Sequence, residues 1–306
     1  MQNQIFILFL LLISGYTAKK FRVISNEMNR DLSSFILNVA LPGMIITSMN
    51  FSFSMELLIK SGKLLVISWV VYGVSIGISY VVPRLLSVDG TRRDIFQFLT
   101  VFSNVGFMGY PVVNAVFGEK GVFYAALYNL PFNILLFSFG IMILSRPSRY
   151  DGNENSVAFN WKELLNPGII AVMIGFILFL TSSSLPGPIY TTLKMLGDTT
   201  TPLSMVFVGS ILADVSFKTI FTDIKVFLAS GVRLLVMPIL TLIGLKLLFT
   251  DPMIIGIPVI ITAMPVAANA AILSTKYGND YQLASQVIFI STMLSMATIP
   301  FIVTLL

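Results

Sequence analysis

Ser103-Asn104-Val105-Gly106-Phe107-Met108-Gly109-Tyr110-Pro111 sets two glycines, an asparagine and a proline in the middle of an apolar run, 95–117. A helix needs roughly 20 mostly apolar residues to cross a bilayer, and this run is about that long. Its centre is poor helix material. Proline has no amide hydrogen and clashes with the preceding turn, and unpaired backbone in hydrocarbon is costly unless it lines a protected cavity. A second run, 253–275, repeats the pattern at Met264-Pro265-Val266-Ala267-Ala268-Asn269, with Gly256 and Pro258 upstream. Asparagine follows proline within about a turn in both, at Asn114 after Pro111 and at Asn269 after Pro265, with a one-residue offset. A proline kink with glycine-mediated close packing accounts for either run alone. Broken helices account for the recurrence, because half-helix ends expose amides and carbonyls that hold an ion or an anionic group.

Composition sets the solvent. The chain has 306 residues, 56% hydrophobic and only 11% charged, with a mean hydropathy of +0.90. Soluble domains carry about 25% charged residues, so an all-α polytopic membrane protein is expected. Cysteine and histidine are absent, which removes disulfides, thiolate chemistry, imidazole catalysis and the usual zinc sites. Apolar segments of spanning size fall at 4–18, 32–49, 64–86, 95–117, 121–145, 164–183, 188–212, 224–249, 253–275 and 281–305. The first is no signal peptide by its charge order: Met1-Gln2-Asn3-Gln4 is uncharged, and Lys19, Lys20 and Arg22 follow the apolar stretch.

Lys and Arg placement orients these ten segments. With the N-terminus outside, thirteen basic residues fall in inside-facing connections, among them Arg84, Arg92, Arg93, Arg146, Arg149, Lys162 and Lys218, and four fall outside, Lys60, Lys63, Lys120 and Lys246. The positive-inside rule then puts both termini on the extracytoplasmic side and the polar 146–162 connection in the cytoplasm. The net charge of +5 is thereby topological, and no nucleic-acid patch is expected.

The 146–162 connection divides the segments five and five, giving expected repeats 1–145 and 163–306. Asn38 stands four residues before Pro42 in the second segment, and Asp198 four before Pro202 in the seventh. Together with the proline–asparagine pair above, matching positions lie five segments apart. Five is odd, so the second half enters the membrane inverted, the plan of many secondary transporters.

Three charges fall within segments: Lys194, Asp198 and Arg233, each costing about 2.5–3.5 kcal/mol at mid-bilayer. Lys194 and Asp198 are four residues apart and share a helix face. Lys194 either pairs or snorkels to the outer surface. Asp198, near mid-depth, is the candidate for a proton or cation relay. Arg233 either pairs with Asp198 or attracts an anionic substrate; a structural ion pair is the plainer alternative. Asn38, Asn129 and Asn133 are weaker candidates, since polar span residues usually serve as interhelical hydrogen-bond glue. Phe and Tyr are expected at lipid-facing or interfacial positions.

The string Asn104 to Pro111 resembles the fourth-span signature of the auxin efflux carrier family. Ala40-Leu41-Pro42, Asn166-Pro167, Leu196-Gly197 through Pro202 to Gly209, Arg233 to Pro238 and Met264-Pro265 match as well, so the resemblance covers nearly the whole chain. It implies ten helices in two inverted five-helix repeats, with the fourth and ninth crossing at their proline breaks beside a central site. Carried over residue by residue, Pro111 and Pro265 are the crossover elements, with Asn114 and Asn269 beside them. Asn104, Gly109, Tyr110 and Arg233 complete the expected substrate contacts. The implied activity is carriage of a small organic anion, such as a monocarboxylate or dicarboxylate, across the plasma membrane, without a cofactor or bound metal and without enzymatic turnover. A homodimer is the one protein partner the resemblance leaves open. The fold is shared with the bile acid sodium symporters, in which an acidic residue near the ninth-helix break helps to bind sodium. Ala263-Met264-Pro265-Val266 has no carboxylate there, which points away from sodium and leaves proton coupling through Asp198, or the membrane potential with the substrate gradient. A sodium-coupled importer and a non-transporting membrane sensor remain the alternatives.

Overall fold

A computed structural model describes residues 2–146, 165–214 and 223–306. The 146–162 connection beyond Arg146, and Lys218, lie outside the described residues. Regular structure among the described residues is helical, and the described part of each of the ten apolar segments falls on one or more helices. Five runs are long and apolar enough to cross a membrane: Asn26–Ser48, Met55–Leu85, Val105–Leu144, Ile224–Lys246 and Tyr281–Thr304. Pro167–Thr181 and Pro252–Ala263 are shorter apolar helices.

Three prolines within the long runs are absorbed in the same way. Wider π-helical turns occupy Ile36–Ala40, Val105–Gly109 and Val232–Val236. After them, Pro42, Pro111 and Pro238 stand at the second position of the next α-helix. A proline in an α-helix removes one i→i−4 bond and presses its ring on the carbonyl four residues back. A π turn moves that carbonyl aside, so the chain continues as a helix. The segment 188–212 behaves differently. It divides at Thr199 into Gly187–Asp198 and Thr200–Asp214, because Pro202 cannot donate to the Asp198 carbonyl. Within the run Val105–Leu144, Gly118 (φ 64°, ψ −159°) breaks the helix. That backbone region is almost exclusive to glycine.

The described chain clusters into two compact units, and neither is one half of the sequence. The first comprises Met1–Leu65, Val105–Leu130 and Leu165–Asp214; the second comprises Val66–Asn104, Pro131–Leu164 and Val215–Leu306. Glycines set the packing of the first unit. A Cβ added at Gly15 would lie 2.0 Å from the Val206 carbonyl oxygen, and one at Gly209 would lie 1.8 Å from that of Leu12. Helices Gln2–Lys20 and Thr200–Asp214 therefore meet backbone to backbone. Gly43 and Gly197 do the same for the helices Leu41–Ser48 and Gly187–Asp198, with 2.9 Å to the Leu193 oxygen and 2.7 Å to the Met44 nitrogen. Lipid offers no hydrophobic drive for helix association, so such close approach supplies the van der Waals contact instead.

Phenylalanine is more than a lipid-facing residue here, contrary to expectation. In the first unit Phe123 meets Phe51, Phe179 and Tyr124. In the second, Phe98, Phe102 and Phe132 form a chain of ring contacts, and a Cβ on Gly140 would sit 3.1 Å from the Phe102 ring. Flat rings fill the space between helices that glycines bring close.

Gly209→Ala should destabilise the protein by about 1–3 kcal/mol, because the obstructing atom is backbone and cannot move aside. Gly73→Ala, with nothing within 4 Å of the added carbon, should be neutral or stabilising by up to about 1 kcal/mol. Thermal unfolding of both variants in detergent checks the contrast; equal shifts would remove the glycine argument.

Candidate functional site

In the second unit two helices stop abruptly and their continuations pair. Gly90–Val101 ends at Phe102 in extended conformation (φ −104°, ψ 113°), and Pro252–Ala263 ends at Met264 (φ −69°, ψ 147°). Pro265 explains the second ending, since a residue before proline is driven from the helical to the extended region. The first has no such cause: Pro111 lies seven residues beyond Asn104 and is already accommodated by the π turn before it. What holds the first ending open is the pairing itself. Ser103 and Val266 form an isolated antiparallel bridge. Asn104 N–H donates to the Pro265 carbonyl at 2.8 Å, and Ala267 N–H to the Phe102 carbonyl at 3.1 Å. Val266 N–H donates to Ser291 Oγ at 3.2 Å. Backbone groups released by two interrupted helices thus satisfy one another.

Arg233 completes the arrangement. Its side chain is 1% exposed, and Nη1 donates to the Thr100 carbonyl at 2.9 Å and Nε to that of Met264 at 3.3 Å. These two oxygens belong to the C-terminal ends of the two interrupted helices, each equivalent to about half a negative charge. One guanidinium facing two such ends approaches local neutrality, which is why a full charge is tolerated so deep. Sequence reasoning gave Arg233 a carboxylate or substrate partner. The carbonyls were not foreseeable, because nothing in the local sequence around Thr100 marks a helix end.

The remaining candidates are spread over both units. In the first, Gly109, Tyr110 and Pro111 are buried, and the Tyr110 and Asn129 side chains share a hydrogen bond. Asn114 is half-buried. Asn38 is exposed and folds back on its own helix, donating to the Ser34 carbonyl at 2.8 Å. Lys194 bridges Glu119 (2.9 Å) and Asp198 (3.2 Å). The expected Lys194–Asp198 face is therefore present, but the Asp198 side chain is 66% exposed, at the end of a helix. Glu119 was overlooked; its position beside the Gly118 kink was the available signal. In the second unit, Asn104 and Pro265 are buried within the paired stretch, while Asn133 and Asn269 are half-buried. Asn269 Oδ1 is a buried acceptor with no partner among the described residues. No group of acidic residues able to hold a metal ion occurs among the described residues.

Comparison with known proteins gives a consistent picture. A family described as membrane transport protein matches residues 1–303, which bears out the resemblance seen in the motifs. The chain is 29% identical over 293 residues to an uncharacterized transporter of Methanothermobacter thermautotrophicus, covering 95% of this chain and 93% of that protein. It is 24% identical over 300 residues to an uncharacterized transporter of Methanocaldococcus jannaschii, covering 96% and 95%. Similarity at 24% identity over 94% of the chain and 90% of the relative extends to a putative malonate transporter of Rhizobium meliloti.

Replacing Arg233 with Met removes both caps and should cost about 1–3 kcal/mol for each buried carbonyl left unsatisfied. Arg233→Lys, which keeps the charge but not the fork, should fall between. Unfolding of Arg233→Met at the wild-type temperature would contradict the cap.

Proposed function

We propose, from the premise that the chain belongs to the membrane transport protein family, that it is a carrier of a small organic anion, a monocarboxylate or dicarboxylate, working by alternating access across the cell membrane. The supporting observation is the crossing of two interrupted helices through residues 102–104 and 265–267. Such a crossing gives each chain a fresh helix start, whose first amides have no intrahelical acceptor and carry the positive end of the dipole. In the second unit those amides and the side chain of Asn269 are the donors assigned to the carboxylate; Asn114 is a separate candidate in the first unit, carried by the sequence pattern alone. Arg233 supports the site by holding the preceding helix ends and by adding positive potential. The ten-helix, two-repeat inverted plan with extracytoplasmic termini belongs to the same proposal; the recurrence five segments apart and the basic-residue asymmetry support it. The name of the Rhizobium meliloti relative makes malonate the first compound to try.

Coupling is assigned to the proton or to the substrate gradient rather than to sodium, because residues 102–104 and 263–269 contain no carboxylate. Asp198 is the proton candidate. Its ion pair with Lys194 is largely solvent-accessible and contributes about 0–1 kcal/mol at most. Asp198→Asn should therefore fold normally, which separates a functional loss from a structural one.

The test is counterflow of labelled malonate, malate and monocarboxylates in proteoliposomes, with pH-gradient and sodium-gradient arms. Asn114→Ala and Asn269→Ala are each expected to lower transport about tenfold or more, consistent with loss of one charge-assisted hydrogen bond of about 1.5–3 kcal/mol. Wild-type rates in both variants would remove the crossing from the site. Binding without counterflow by the wild-type protein would favour a sensor. Asp198→Asn should abolish stimulation by a pH gradient while yield is unchanged; retained stimulation would free Asp198 from coupling.

A further inference from the structure

A second charged cavity, away from the crossing, belongs to the second unit. It encloses about 830 Å³ where the helix Met55–Leu85 ends and the helix Gly90–Val101 begins. Arg84, Arg93 and Arg146 line it together with Tyr80, Asp89 and Gln97. Charge placement along the sequence puts this end on the cytoplasmic side.

The three arginines are held differently. Arg146 Nη1 donates to Asp94 Oδ1 at 2.8 Å and to Gln97 Oε1. Asp94 and Gln97 are buried, so the guanidinium is fixed on a rigid shelf while keeping its other nitrogens. Arg93 Nε lies 3.5 Å from Asp94 Oδ1. Burial pushes the Asp94 carboxyl up from its ordinary value, opposed first by the Arg146 hydrogen bond and charge and then by Arg93. Arg84 has no ion-pair partner among the described residues. A second, independent feature faces the same place. Asp89, which lines the cavity, precedes Gly90–Val101, and its side chain makes no capping bond to this 12-residue helix. Guanidinium forks and the first amides of a helix are both complementary to the oxygens of a phosphate.

From this convergence we infer that the cavity is a binding site for a phosphate-bearing anion, and that its occupant is the headgroup of an anionic phospholipid. The volume far exceeds one phosphate. Tyr80, Val81 and Leu85 on the adjoining helix end are exposed, giving acyl chains an apolar surface to follow. Basic pockets on the cytoplasmic side of helical membrane proteins have this ligand chemistry. Asp89 is the opposing charge in the lining.

Native mass spectrometry of the full chain, delipidated and then exposed to mixed phosphatidylglycerol and phosphatidylcholine micelles, tests the site. Wild-type protein should retain phosphatidylglycerol, and Arg84→Gln/Arg93→Gln should retain about 25-fold less, at about fivefold per arginine near an anionic lipid. Phosphatidylcholine retention should not differ. Asp89→Asn, which removes the repelling carboxylate without touching a capping bond, should raise phosphatidylglycerol retention, and decides the matter if the double variant is not monodisperse. A parallel arm measures thermal stabilisation by inorganic phosphate. Arginine-dependent stabilisation by phosphate with no arginine-dependent lipid retention would assign the site to a soluble phosphate compound and overturn the lipid. Equal behaviour of wild type and variants in both arms would overturn the site itself.

Discussion

A backbone amide or carbonyl left unpaired in hydrocarbon costs several kcal/mol, and two helices of this protein stop among buried residues. Everything at the centre of the second unit answers this constraint. The broken ends pair with each other through residues 102–104 and 265–267, Ser291 accepts one further amide, and Arg233 takes the carbonyls of both helix ends. Because each ending is satisfied by the other, neither break is tolerable alone. The pair is therefore a single structural element made from distant sequence, and the helix starts that follow it are the positively polarised amides on which anion recognition is proposed to rest.

Elsewhere the same constraint is met more locally. Where a proline falls within a run, a preceding π turn shifts one carbonyl and the helix proceeds, as before Pro42, Pro111 and Pro238. Where helices must touch, glycine brings backbones together, as at Gly15, Gly43, Gly197 and Gly209. Phenylalanine then fills what remains. These devices substitute for the hydrophobic effect, which has little to drive helix on helix in lipid.

Charge is distributed by depth. The fully buried cation, Arg233, faces the carbonyls of two helix ends. Lys194, Glu119 and Asp198 form a largely accessible cluster in the first unit, where an ion pair adds little stability. Arg84, Arg93 and Arg146 gather around a cavity in the second, fixed in part by the buried Asp94.

Membrane class, the apolar segments and the family were legible in the sequence, because hydropathy, the count of charges and the strings around Asn104 and Pro265 are local properties. The helix break after Met264 was legible for the same reason, since proline acts on its immediate neighbour. The break at residues 102–104 was legible only as lying within or beside Ser103–Pro111; its exact place is imposed by a partner stretch some 160 residues away in sequence. Arg233 was recognised as significant, but its two carbonyl contacts were not foreseen, because a carbonyl becomes an acceptor for a buried cation only once the tertiary fold has ended its helix. Nor are the two compact units the two halves of the chain; each gathers segments from both, a choice made by packing between helices that no single segment encodes. The sequence by itself determined the solvent, the family and which residues are unsuited to a plain helix. Which unsuited stretches satisfy one another was decided only in three dimensions, because hydrogen-bond partners across a fold are chosen by proximity and not by spacing along the chain.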